Sequence, residues 1–481
     1  MQRLFFTNLA FLLAVNLLVK PFWLLGVDRS VQNVVGPEAY GLYFALFNFS
    51  LLSQIILDFG IQFYNNRNIA QYNQLLEKYF PTFVITKTLL ALGYLAFTFA
   101  VALIIGYRAL SLEILIFLAL NQVLISLVAF IRSNVSGLHR FKADSMLSVT
   151  DKLLMILIIG SLLWLEPFGR PITIQWFVYA QTISYGATAL ISLLVLNPRL
   201  ALLRFRFQPA RILYILKQSF PYALTVFLMS GFLRLDAVLI HQLLPVDGDY
   251  YAGIYAAGYR LLDAANMLGY MFATLLLPIF ARQIKEQMPL QPLCGSTFRL
   301  IVSVSAALAA ACFSYRNEIM GLLYRFSDPQ AGDVLGLLML SFVAMSTMYV
   351  FGTLISAGGN LSALNKLFAA ALIMNVLLNL WWIPYWQATG AALAAAATQL
   401  VVVSGEIVIA RRQFGRLLDR SDWLRITAFI ALLILANWLI MALALPWSIR
   451  FGLALAAGAA LSWITGLIRL GQLFGEFRKL G

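Results

Sequence analysis

The chain has 481 residues, 62% hydrophobic and only 11% charged, with a net charge of +14 and a mean hydropathy of +0.85. That composition excludes a soluble globular protein and describes one that crosses a membrane many times. Two cysteines and two histidines exclude a disulfide framework and a Cys/His metal site. Basic residues sit in short loops between apolar segments, which excludes a nucleic-acid surface.

Apolar segments of spanning length centre near residues 17, 50, 93, 122, 157, 186, 233, 267, 305, 345, 375, 400, 436 and 458. They predict an all-α integral membrane protein of about 14 transmembrane helices. The first, Leu9 to Val27, is not followed by the small-residue cleavage site of a signal peptide. It sets Asn16 and Lys20 on one face just before Pro21, which predicts a bend. The second carries a polar stripe, Ser50, Gln54, Asp58, Gln62 and Asn65, spaced three or four apart. In lipid such a stripe must face protein or water.

After the sixth segment, residues 197–220 alternate Arg with Leu, Phe and Ile. This reads either as a basic amphipathic helix on the cytoplasmic leaflet or as a linker that obeys the positive-inside rule. The seventh segment, Pro221 to Leu244, places Arg234 and Asp236 near its middle. A charge at that depth costs about 2.5–3.5 kcal/mol even on a lenient insertion scale, so each needs a watery cavity or a partner. Residues two apart point to different sides of a helix. Arg234 shares its face with Ser230, Gly231 and His241 and is expected to look into a hydrated cavity. Asp236 shares its face with Phe232, Leu233 and Ile240 and is expected to be buried against another helix.

The eighth segment sets Tyr251, Tyr255, Tyr259 and Asp263 four apart, with Arg260 able to pair locally with Asp263. The tyrosines read as a sugar-stacking stripe or as part of the interfacial belt. The eleventh has Asn375 and Asn379, and the twelfth Gln399 and Glu406. The last two have no ionisable residue inside their spans and are expected outside any cavity.

Lys and Arg cluster on one side: Arg199, Arg204, Arg206, Arg211 and Lys217 after the sixth span, and Arg411, Arg412, Arg416, Arg420 and Arg425 after the twelfth. The opposite loops hold only scattered arginines such as Arg108, Arg170 and Arg450. An even number of spans with this bias predicts both termini in the cytoplasm.

The halves form a degenerate repeat. Leu-Gly-Val-Asp-Arg-Ser at 25–30 precedes Gly36-Pro-Glu-Ala-Tyr-Gly, and Leu-Arg-Leu-Asp-Ala-Val at 233–238 precedes Asp249-Tyr-Tyr-Ala-Gly. Six spans separate the members, so the halves share an orientation and are related by an axis along the membrane normal. The expected layout is a six-helix lobe at 1–196, the linker at 197–220, a second lobe at 221–412, and two peripheral helices with a tail at 413–481. A cavity between two pseudo-twofold-related six-helix bundles would then have Lys20, Arg234 and Arg260 as its positive groups, suited to a phosphate or diphosphate. Asn16, Gln54, Tyr255, Tyr259 and His241 would line it.

Two motifs fail. Asp247-Gly-Asp249 has the form that holds a metal and nucleotide sugar in glycosyltransferases, but it reads as a turn with no soluble domain around it. No Walker-type phosphate loop is present, and no cofactor is expected.

The span layout, with Val27-Asp-Arg-Ser-Val-Gln-Asn33, Gly36-Pro-Glu-Ala-Tyr-Gly-Leu-Tyr-Phe44 and Leu57-Asp-Phe-Gly-Ile61, resembles the polysaccharide flippases. These belong to the superfamily of the multidrug and toxin extruders and the lipid II flippases. The resemblance implies a transporter rather than an enzyme. Its substrate would be a polyprenyl-diphosphate-linked oligosaccharide, moved between leaflets of a bacterial inner membrane for surface-polysaccharide assembly. It also implies coupling to an ion gradient or the membrane potential, with Asp58, Asp236 and Asp263 as candidate ion or proton sites. Membrane lipids and a polysaccharide polymerase with its chain-length machinery would be partners, and nucleic acid would not. The alternatives are a drug exporter or lipid II flippase of the same superfamily, or a membrane O-antigen polymerase or glycosyltransferase, which needs a large outer loop.

Overall fold

A long apolar run has no water to satisfy its amides within a bilayer, so it closes its hydrogen bonds on itself as a helix. The computed structural model describes residues 14–59, 75–107, 110–138, 140–165, 169, 171–196, 209–326 and 328–468; these form helices joined by short turns, with no strand among them. The helices are α1 (14–21), α2 (Arg29–Leu52), α3 (Ile55–Asp58), α4 (Leu75–Ile105), α5 (Leu110–Gly137), α6 (Phe141–Trp164), α7 (Ile174–Leu196) and α8 (Pro209–Leu243). They continue as α9 (Gly248–Lys285), α10 (Gln291–Ser314), α11 (Arg316–Leu323), α12 (Pro329–Ala357), α13 (Leu361–Phe414), α14 (Arg420–Met441) and α15 (Trp447–Ile464).

Among the described residues eleven helices are long and apolar enough to cross a membrane. The 54-residue α13 covers two of the segments expected from the sequence, divided at Gln387, where φ is 45° and ψ −124°. The first two expected segments form one run that joins α1, a π-helical stretch Phe22–Asp28 and α2. Gly36 breaks this run at φ 84° and ψ 166°, a conformation open to glycine alone, and Pro37 bars the residue before it from helical geometry.

The chain divides into two compact units, Met1–His241 and Gln242–Gly481. Of the expected connection at 197–220, residues 209–220 begin α8, and the remainder lies outside the described residues. Gln62, Asn65, Gly60, Ile61 and the C-terminal tail from residue 469 also lie outside them.

In the first unit α5 packs on α7 and α2, and α6 on α7. In the second, α12 is the central element, packed against α9, α10 and α13 and buried over most of its span. Small residues allow close approach. A Cβ at Gly258 of α9 would lie 3.0 Å from Val334 of α12, and one at Gly458 of α15 would lie 2.6 Å from Ala307 of α10. The last two helices, expected outside the cavity, pack on α10 and on each other and leave most of their surface exposed.

Candidate functional site

Two of the sequence motifs meet. Tyr40 donates its hydroxyl to Asp28 Oδ2 at 2.7 Å across the Gly36 break, and both residues are buried. This contact fixes the angle between the first two spans, which the motifs alone did not reveal.

Next to it the first unit gathers charge from three helices. Asn16 of α1 donates to Ser148 of α6 at 2.9 Å, holding the two helices in register. One turn on, Lys20 is half-buried and lies within electrostatic range of Asp151, Lys152 and Arg132. Lys152 Nζ sits 3.2 Å from Asp151 Oδ2, donates to the Tyr185 hydroxyl at 3.1 Å, and lies 5.6 Å from the ring centre of Trp23. Arg132 pairs with Asp144 at 2.8 Å. Trp23 stacks on Phe177, which in turn meets Tyr43 edge-on at 5.1 Å. Three cations thus face two carboxylates. Lys20 is the one without a carboxylate ion pair among the described residues, so the excess positive charge belongs to it.

A second intramembrane lysine has the opposite character. The second span breaks at Ser53–Gln54, resumes as α3, and stops at Phe59 with φ 43°. Lys87 of α4 donates to Leu57 O at 3.1 Å, Asp58 Oδ1 at 2.5 Å and Ser126 Oγ at 2.9 Å. All three ammonium donors are used, so this group braces a broken helix and has nothing left for an anion. Gln54 is half-buried in the turn itself. Sequence reasoning gave Lys87 and Lys152 no role, although an ionisable residue at membrane depth is a signal in its own right.

On α8 Asp236 is buried, at 1% exposure, while Arg234 is half-buried. His241, two turns along the same face from Arg234, stacks on Tyr107 with ring centres 5.4 Å apart. In the second unit Arg260 pairs with Asp263 at 3.6 Å. Tyr255 and Tyr259 are buried there and pack on each other at 5.6 Å. Asp247 occupies the N-cap position of α9 without a side-chain capping bond and Asp249 lies in the first turn, so the Asp-x-Asp motif falls at a helix start.

The first unit's cluster is therefore polar and net-basic, with Lys20, Lys152 and Arg132 beside Asp151 and Asp144. Residues 6–283, more than half of the chain, match the family model described as polysaccharide biosynthesis protein. Among solved structures, a lipid II flippase MurJ in an inward closed conformation matches with a TM-score of 0.72 and 13% identity, covering 93% of this chain and 97% of that one. An inward-facing multidrug resistance MATE family transporter of the MOP superfamily matches with a TM-score of 0.58 and 14% identity, covering 84% and 94%. A MOP superfamily transporter from Pyrococcus furiosus matches with a TM-score of 0.56 and 15% identity, covering 88% and 95%. At these identities the likeness is one of fold. No curated protein matches the chain.

Proposed function

Because the chain belongs to the polysaccharide biosynthesis protein family, whose fold here is that of the MOP superfamily flippases and transporters, we propose that it is a flippase for a polyprenyl-diphosphate-linked oligosaccharide. It moves this lipid by alternating access from the cytoplasmic to the outer leaflet of a bacterial inner membrane, feeding the assembly of a surface polysaccharide. The observation that carries the reading is Lys20, a half-buried cation with two further cations and two carboxylates around it. A diphosphate is the ligand charge that such a net-basic site completes. Arg234 on α8 and Arg260 on α9 are assigned as further anion-binding groups. Asn16, Gln54, His241, Tyr255 and Tyr259 are assigned to the transport path and Asp263 to its energy coupling, while Asp58, engaged by Lys87, and the buried Asp236 are given structural roles.

A drug exporter of the same fold selects cations and calls for an acidic site, which the basic cluster around Lys20 opposes. The test is reconstitution in vesicles with a fluorescent polyprenyl-diphosphate-linked sugar, its outer-leaflet fraction read with an impermeant quencher. The wild-type protein should expose the inner pool to the quencher. Vesicles in which that pool stays protected would overturn the proposal.

A further inference from the structure

The second unit carries a basic cavity far along the chain from the residues discussed above. Helix α13 ends at Phe414, and Gly415, at φ 80° and ψ −153°, turns the chain sharply back. The last turn of α13 and the first turn of α14 thereby close around a cavity of about 330 Å³. Arg411, Arg416 and Arg420 line it, and Phe351, Leu417 and Trp423 supply apolar wall.

The carboxylates nearby are already committed. Asp422 pairs with Arg299 at 2.7 Å and accepts the backbone N–H of Asp419 at 3.0 Å, while Asp419 closes the reciprocal half of this capping box. No carboxylate among the described residues pairs with Arg411, Arg416 or Arg420, and all three are exposed. Beside them Trp423 is 45% exposed and Leu424 is 72% exposed, so α14 turns an apolar face outward from its first turn onward. Arginines around a cavity with tryptophan and leucine beside it make the chemistry of a membrane interface, charged at the headgroups and apolar below.

We propose that this cavity binds the phosphate-bearing headgroup of an anionic phospholipid, whose acyl chains lie along the outward face of α14. Guanidinium groups present paired donors to phosphate oxygens, and the apolar wall accepts the glycerol and upper acyl carbons. A zwitterionic headgroup brings its own cation into the arginines and is disfavoured.

The full chain, purified in detergent, should retain phosphatidylglycerol in native mass spectrometry and melt at a higher temperature with it. Phosphatidylcholine and inorganic phosphate should do neither. In the variant R411Q/R416Q/R420Q affinity for phosphatidylglycerol should fall by roughly fivefold for each arginine removed. The variant R282Q/K285Q, altered at a basic pair elsewhere, should bind as the wild type does. Equal binding by the triple variant, or by phosphatidylcholine, would overturn the proposal. A melting shift with inorganic phosphate alone would overturn it too, because the site would then read a free anion.

Discussion

The carboxyl group of Glu406 occupies the space that the missing side chain of Gly352 leaves: a Cβ at position 352 would lie 2.7 Å from Glu406 Oε1. Glu406 is fully buried on α13, with the α12 backbone at Gly352 as its polar neighbour and no side-chain hydrogen bond to either oxygen among the described residues. A buried ionisable group so placed depends on the glycine opposite it, because any side chain there would have to displace the carboxyl.

Gly352→Ala should therefore displace the buried Glu406 carboxyl and cost about 1–3 kcal/mol, the range for overpacking a close-packed site. Glu406→Gln keeps the volume and removes the ionisable charge, so it should melt at or above the wild-type temperature. Thermal unfolding in detergent checks both. A wild-type melt for Gly352→Ala would mean that the approach is loose.

The Lys87–Asp58 pair predicts a non-additive result. Removing one partner leaves a buried charge uncompensated, at a cost of about 3–5 kcal/mol, whereas removing both restores much of the loss. Lys87→Met should thus unfold more readily than Lys87→Met combined with Asp58→Asn. A double-mutant cycle in melting temperature measures the coupling, and simple additivity would contradict the role assigned here.

Lys20 and Lys152 should separate function from stability. Lys152 has a carboxylate, a hydroxyl and an aromatic face as partners, so Lys152→Ala should lower both melting temperature and protein abundance. Lys20→Ala breaks no ion pair in the cluster and should leave the melt near wild type while abolishing leaflet exchange. Lys20→Arg should keep substantial exchange. Full exchange in Lys20→Ala would remove this residue from the anion site.

On α8, Arg234→Ala should stop export of surface polysaccharide while the protein remains in the membrane. Asp236→Asn, at a buried position, should reduce the amount of folded protein more than the transport each molecule performs. Immunoblots of membrane fractions beside a polysaccharide assay distinguish the two outcomes, and the reverse pattern would exchange their roles.

Much of the fold was legible before any coordinates. Every segment read as a span from hydropathy has its centre in a helix among the described residues, whereas the break at Gly36 went unread although Gly36-Pro37 could have announced it. The break at Gln387 carries no such signal, since nothing in its own residue type demands φ 45°. Polar positions were also legible, because a charge in a 20-residue apolar window stands out. What each one does was not. Lys20 and Lys87 look alike in sequence, yet one has its three donors filled by a carboxylate, a carbonyl and a hydroxyl from two other elements, and the other has excess charge around it. The tyrosines of α9, regularly spaced along one stripe, are divided by packing, with Tyr255 and Tyr259 buried.

The helical, membrane-spanning character of the chain and the positions of its charges within apolar segments were thus settled by the sequence alone, because hydropathy and charge are properties of a short window of residues. Which charges are neutralised, and which aromatic rings are buried, was decided only by the tertiary structure. Those outcomes depend on how helices far apart in the chain are rotated and shifted against one another. Lys87 meets Ser126 across 39 positions and Asn16 meets Ser148 across 132, and no local window contains both ends of such a contact.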